Sequence, residues 1–92
     1  MQHLPRVLVI EDDPQQARII ELRLTKNNQP FEVDLANNTT VAFEKLAKTS
    51  FDIVTLDYHL PSMSGLQVLE KIKKEYAHLP VIMLTGQGDE EI

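Results

Sequence analysis

Glu11, Asp12, Asp57 and Thr85 share one kind of position: each follows or closes a short apolar, β-branched run. Glu11 and Asp12 come directly after residues 6–10, Asp57 comes after 51–56, and Thr85 closes 81–85. Such runs read as strands buried on both faces. In an open parallel sheet, ligands bind beyond the carboxyl ends of the strands, near the point where strand order reverses. The three carboxylates are therefore expected to meet there. Crowded carboxylates repel, each pair by about 1–4 kcal/mol at ~4 Å, depending on the local dielectric. A fold tolerates this when a cation is bound or one carboxyl keeps its proton. Oxygen ligands without His or Cys favour Mg2+ or Mn2+. Mg2+ commonly takes one or two carboxylates together with phosphate oxygens, which points to phosphoryl chemistry.

Blander roles compete for each residue alone. Asp13 is the best helix cap in the chain and is left out of the cluster. Asp57 alone would serve as a strand-ending turn residue, and Thr85 as an ordinary β-branched strand residue. Their common position argues for a site.

The elements that would hold these residues can be read in order. A first strand spans 6–10. Asp13-Pro14 then sets a cap and a first helical residue, with Gln16 three positions after the cap, so a helix begins at Pro14. Ala17, Ile20 and Leu24 form its apolar stripe, with Arg18, Glu21 and Arg23 outside. Asn27 to Pro30 ends it. Residues 31–36 alternate in polarity, as an edge strand does. A second helix is expected beyond the caps at 37–40, with Val41, Phe43, Leu46 and Ala47 inward. A third strand covers 51–56 and ends on Asp57. A third helix covers 65–76, with Leu66, Leu69, Ile72 and Tyr76 inward. A fourth, buried strand covers 81–85. Asp89 to Glu91 resemble the acidic first turn of another helix. Alternating strands and helices imply a mainly parallel sheet with right-handed crossovers and helices on both faces.

Composition narrows the classes. Ninety-two residues make one domain, 42% hydrophobic and 25% charged, in the range of globular chains. The net charge of -5 argues against nucleic acid as a partner of this segment, which would need clustered Lys and Arg. Lys71, Lys73 and Lys74 read as the solvated face of a helix. There is no cysteine, so disulfides, thiolate catalysis and thiolate zinc sites are out. No apolar run approaches a membrane span, and the first six residues do not read as a secretory signal. A cytoplasmic location is expected.

Residues 7–14 (Val-Leu-Val-Ile-Glu-Asp-Asp-Pro), 57–65 (Asp-Tyr-His-Leu-Pro-Ser-Met-Ser-Gly) and 81–86 (Val-Ile-Met-Leu-Thr-Gly) resemble, in that order and spacing, the receiver domain of two-component response regulators. The resemblance runs over essentially the whole chain. It implies a flavodoxin-like, doubly wound α/β fold with strand order 2-1-3-4. It implies that Asp57 is the phosphoacceptor and that Glu11, Asp12 and Asp57 organise Mg2+, Asp12 more directly and Glu11 largely through water. The backbone carbonyl of His59 matches a further metal ligand. Thr85 matches the hydroxyl that contacts the phosphoryl group, and Gly86 a small residue that keeps the site open. Pro61 and Gly65 match the loop that shapes it. The implied partner is a histidine kinase or phosphotransfer protein. Such a module is no enzyme in the usual sense, because it catalyses only its own phosphorylation and dephosphorylation. The imidazole of His59 is read as a rim group that tunes access of water.

The family pattern has five strands and five helices, with a lysine at the end of the fifth strand. Against it, 1–92 is expected to be an incomplete receiver domain that lacks the fourth helix, fifth strand and fifth helix. None of Lys45, Lys48, Lys71, Lys73 or Lys74 takes that lysine's place. The fourth strand would then be an apolar edge, which invites pairing with another chain. A homodimer or larger assembly is the expectation.

Two further classes remain beside the phosphoacceptor. One is a receiver-like interaction or dimerisation module that is never phosphorylated. The other is an aspartyl phosphatase or hydrolase, which would want an acid two residues after Asp57, where this chain has His59. A flavin or nucleotide site would want a glycine-rich loop after the first strand, and there is none.

Overall fold

The computed structural model describes residues 4–26, 28, 30–58, 60 and 64–84. Their order is β1 (Arg6–Ile10), α1 (Pro14–Thr25), β2 (Glu32–Ala36), α2 (Thr39–Lys48), β3 (Ile53–Asp57), α3 (Gly65–Glu75) and β4 (Val81–Leu84). The four strands form one parallel sheet in the order β2-β1-β3-β4. Order reverses between β1 and β3, where Ile10 stands beside Leu56. The positions just beyond that pair are Glu11 and Asp57.

Strand identity follows from burial. Val7, Leu8, Val9 and Ile10 are at most 1% exposed, so β1 is covered on both faces, as its unbroken apolar run requires. Leu8, Ile10, Val54 and Leu56 form the core with Ala42 and Leu46 of α2 and Val68 and Ile72 of α3. The helix α1 lies against β1 and β2 and buries Ala17. Each buried Val, Leu or Ile side chain contributes about 1.5–3 kcal/mol.

The helix starts are specified locally. Asp13 caps α1 by accepting the Gln15 N–H at 2.9 Å. Asn38 caps α2 by accepting the Val41 N–H at 2.8 Å. Ser64 caps α3, and there Gln67 answers with its own side chain on the Ser64 N–H, at 3.1 Å. The reciprocal pattern expected from Gln16 at α1 is thus found at α3.

Three expectations need correction. Leu66 is 52% exposed; α3 buries Gly65 and Val68 besides the expected Ile72, with Leu69 and Tyr76 half-buried against the core. Ala47 is exposed, and Ala42 takes the inward place in α2. The strand β4 is only half-buried, with Ile82 47% exposed, because among the described residues it pairs on one side alone. No helix among the described residues is long and apolar enough to cross a membrane.

Candidate metal centre

The cluster is assembled by strand ends. Ladder bonding continues one residue past β1, where the Glu11 N–H donates to the Ala36 carbonyl at 3.0 Å. It continues past β3 as well, where the Tyr58 N–H donates to the Leu84 carbonyl at 2.9 Å. Glu11 and Asp57 are therefore held as rigidly as the sheet itself. Asp12 sits in the bend between β1 and α1.

Glu11, Asp12 and Asp57 each offer a carboxylate oxygen, and these three atoms lie within 4.8 Å of one another. Glu11 is buried, Asp57 half-buried and Asp12 exposed. A groove of about 340 Å³ opens beside Glu11 and Asp12, between α1 and the end of β2.

Glu11 is the carboxylate that burial and crowding together affect most. Burial pushes its carboxyl from the ordinary 4.5 up to about 7. A hydrogen bond from the Asp13 N–H, at 3.2 Å to Oε2, pulls the other way. The charge of Asp57, a hydrogen bond shared with the Asp57 carboxyl, and the charge of Asp12 all push up. Of the two remedies foreseen for crowded carboxylates, the raised pKa of Glu11 favours a shared proton there. A divalent cation does the same job more completely, and the all-oxygen donor set suits Mg2+ or Mn2+.

Behind Asp57 the chain is clamped by α3. The Gly65 N–H donates to the Tyr58 carbonyl at 2.9 Å. A Cβ at position 65 would lie 2.7 Å from Tyr58 Cα and 2.9 Å from the Asp57 carbonyl oxygen. Only glycine permits this approach.

The structure thus brings together Glu11, Asp12 and Asp57 as expected. His59, Pro61, Met63, Thr85 and Gly86 lie outside the described residues, as does the helix foreseen from Asp89. The capping pair Ser64 and Gln67 was missed in the sequence, although Ser followed three residues later by Gln is a known box signature.

The pattern described as the response regulator receiver domain matches residues 7–92. The chain belongs to that family. As a receiver domain it is 29% identical over 86 residues to the response regulator ArlR of Staphylococcus haemolyticus, covering 94% of this chain and 38% of ArlR. It is 33% identical over 81 residues to YkoG of Bacillus subtilis, an uncharacterized transcriptional regulatory protein, covering 88% of this chain and 35% of that one. The receiver domain therefore spans little more than a third of these relatives. Among solved structures it superposes on the response regulator TrrA of Thermotoga maritima in complex with Mg2+ and BeF. The TM-score is 0.80 at 30% identity, over 87% of this chain and 68% of TrrA. A complex of the histidine kinase ThkA with TrrA matches with TM-score 0.82 and 28% identity, over 97% of this chain and 77% of the matched chain. The parallel 2-1-3-4 sheet is the flavodoxin-like arrangement of these receivers.

Proposed function

We propose that this receiver domain takes a phosphoryl group onto Asp57 from the phosphohistidine of a histidine kinase or phosphotransfer protein. A carboxylate oxygen of Asp57 attacks phosphorus, the bond from phosphorus to the imidazole nitrogen breaks, and its electron pair leaves with the imidazole. The product is an acyl phosphate on Asp57. Mg2+ or Mn2+ held by Glu11, Asp12 and Asp57, with the His59 carbonyl, would neutralise charge on the phosphoryl oxygens. Asp57 is fixed for attack by the strand end, and Glu11 would hold the cation as a carboxylate. Thr85 is assigned the hydrogen bond to the transferred group. Phosphoryl transfer is mostly positioning and charge stabilisation, and this site is organised for both.

The observation that carries the reading is the convergence of three carboxylate oxygens within 4.8 Å at the β1–β3 reversal. The kinase complex of TrrA and the Mg2+ complex of TrrA support the partner and the cation. Acetyl phosphate with Mg2+, followed by intact mass, tests it. A gain of one phosphoryl group that disappears in Asp57→Asn is expected; no gain, or a gain that survives Asp57→Asn, defeats the reading. A cytoplasmic setting goes with such a partner.

A further inference from the structure

The acidic cluster occupies one pole of the sheet. At the other pole, where β3 and β4 begin, the ends of α2 and α3 leave a groove of about 490 Å³. Its floor is the underside of the core. Leu46 is buried there, and Phe51, Tyr76 and Leu79 are half-buried against the core cluster. Its rim carries Lys48 and His78, both exposed. A second ammonium stands beside it, because Lys73 Nζ donates to the Leu79 carbonyl at 2.7 Å. The carboxylate of Asp52 also lines the groove, and its Oδ2 already accepts the Arg6 N–H at 2.8 Å.

Basic residues in the last turn of a helix complement its dipole, and that alone would explain Lys48 and Lys73. It does not explain why aromatic and leucine side chains are left open between them. Apolar surface rimmed by polar groups is the usual form of a docking site. The rim also runs against the surface as a whole, since the chain carries -5 while Lys48 and Lys73 outnumber Asp52, the one carboxylate that lines the groove.

We propose that this groove docks an acidic amphipathic segment of another protein. A Leu or Phe of the segment would rest on Phe51, Tyr76 and Leu79, and its carboxylates would pair with Lys48 and Lys73. The groove is built from residues 46–52 and 76–80 alone, so it stands apart from the phosphoryl reading. Its position at the opposite pole lets it be filled while the acidic cluster is engaged.

The test uses the 92-residue chain and a helix-forming peptide of about 14 residues, Leu on one face and Glu elsewhere. Its charge-reversed Leu/Lys counterpart is the control. Amide shifts are followed by NMR. Saturable shifts at Thr49, Phe51, Tyr76, His78 and Leu79 are expected with the Glu peptide only. Raising salt from about 50 to 300 mM should weaken binding several-fold. Lys48→Glu with His78→Glu should weaken it about tenfold or more. Both side chains are exposed, so the fold should persist, with a small drop in melting temperature from the charge reversed at the end of α2. Should it melt early, the salt and Lys-peptide arms on the parent chain decide. Absence of saturable shifts at about 1 mM peptide, shifts confined to other elements, or equal binding of the Lys peptide overturns the proposal.

Discussion

The N–H of Gly65 donates to the Tyr58 carbonyl at 2.9 Å, and that bond joins the first residue of α3 to the residue after Asp57. A Cβ at 65 would meet backbone atoms of Tyr58 and Asp57 at 2.7–2.9 Å. Backbone cannot swing aside as a flexible side chain can. Gly65→Ala should therefore cost about 1–3 kcal/mol of stability. It should also lower Mg2+ affinity, because relief must come by moving β3 or α3. Urea melts and magnesium titrations measure the two effects; a variant as stable as the parent would show that the clamp is looser than its contacts indicate.

Stability without metal should fall as pH rises from about 5 to 8. The sign follows from Glu11. Its folded pKa of about 7 lies above the ordinary 4.5, so the folded state holds the proton more tightly than the unfolded chain. That contribution is complete below about 4.5 and is lost as pH climbs through about 7. Thermal melts in EDTA should show the decline, and Glu11→Gln should flatten it. With saturating Mg2+ the trend should disappear or reverse, since the cation needs the ionised carboxyl.

Asp57→Asn should lower the pKa of Glu11, because it removes the largest of the neighbouring charges that raise it. The same substitution should weaken Mg2+ binding by about tenfold or more, while the metal-free protein gains stability from lost repulsion. Carboxyl NMR titration of Glu11 reads the first effect directly. An unchanged Glu11 titration would mean that burial alone sets its value.

Ser64→Ala should cost about 1 kcal/mol, as the loss of an N-cap usually does. Gln67→Ala should cost less, since it removes only the answering bond to the Ser64 N–H. Both are exposed and lie outside the core, so denaturant midpoints should shift with little change in slope.

Much of the fold was legible because strands and helices punctuate themselves. The run at 6–10, the Asp13-Pro14 start and the strand ending on Asp57 all stand where their residue types require. The acidic cluster was legible for the same reason: strand ends in a parallel sheet have few places to go. What could not be read was rotation and rank. On α3 the expected Leu69, Ile72 and Tyr76 do turn toward the core, but Leu66 does not, and Gly65 and Val68 are buried in its stead, with Gly65 held close against Tyr58. No stripe in the sequence encodes that contact. The resemblance distinguished the three carboxylates by role, but not that Glu11 would be the buried one with the raised pKa. Burial is decided by α1 and by the end of β2, not by the residue itself.

The acidic cluster and the groove rimmed by Lys48 and Lys73 lie beyond opposite ends of β3, one negative and one positive. From Asp52 to Asp57 is five residues, about 17 Å at ~3.3 Å per residue. At physiological salt the screening length is about 8 Å, so each pole is blind to the charge of the other. At about 0.01 M ionic strength the screening length grows to roughly 30 Å and exceeds the strand. The same molecule then behaves as a single dipole, which would orient approaching ions and partners before contact. Ionic strength therefore decides whether this small sheet presents two independent surfaces or one directional field.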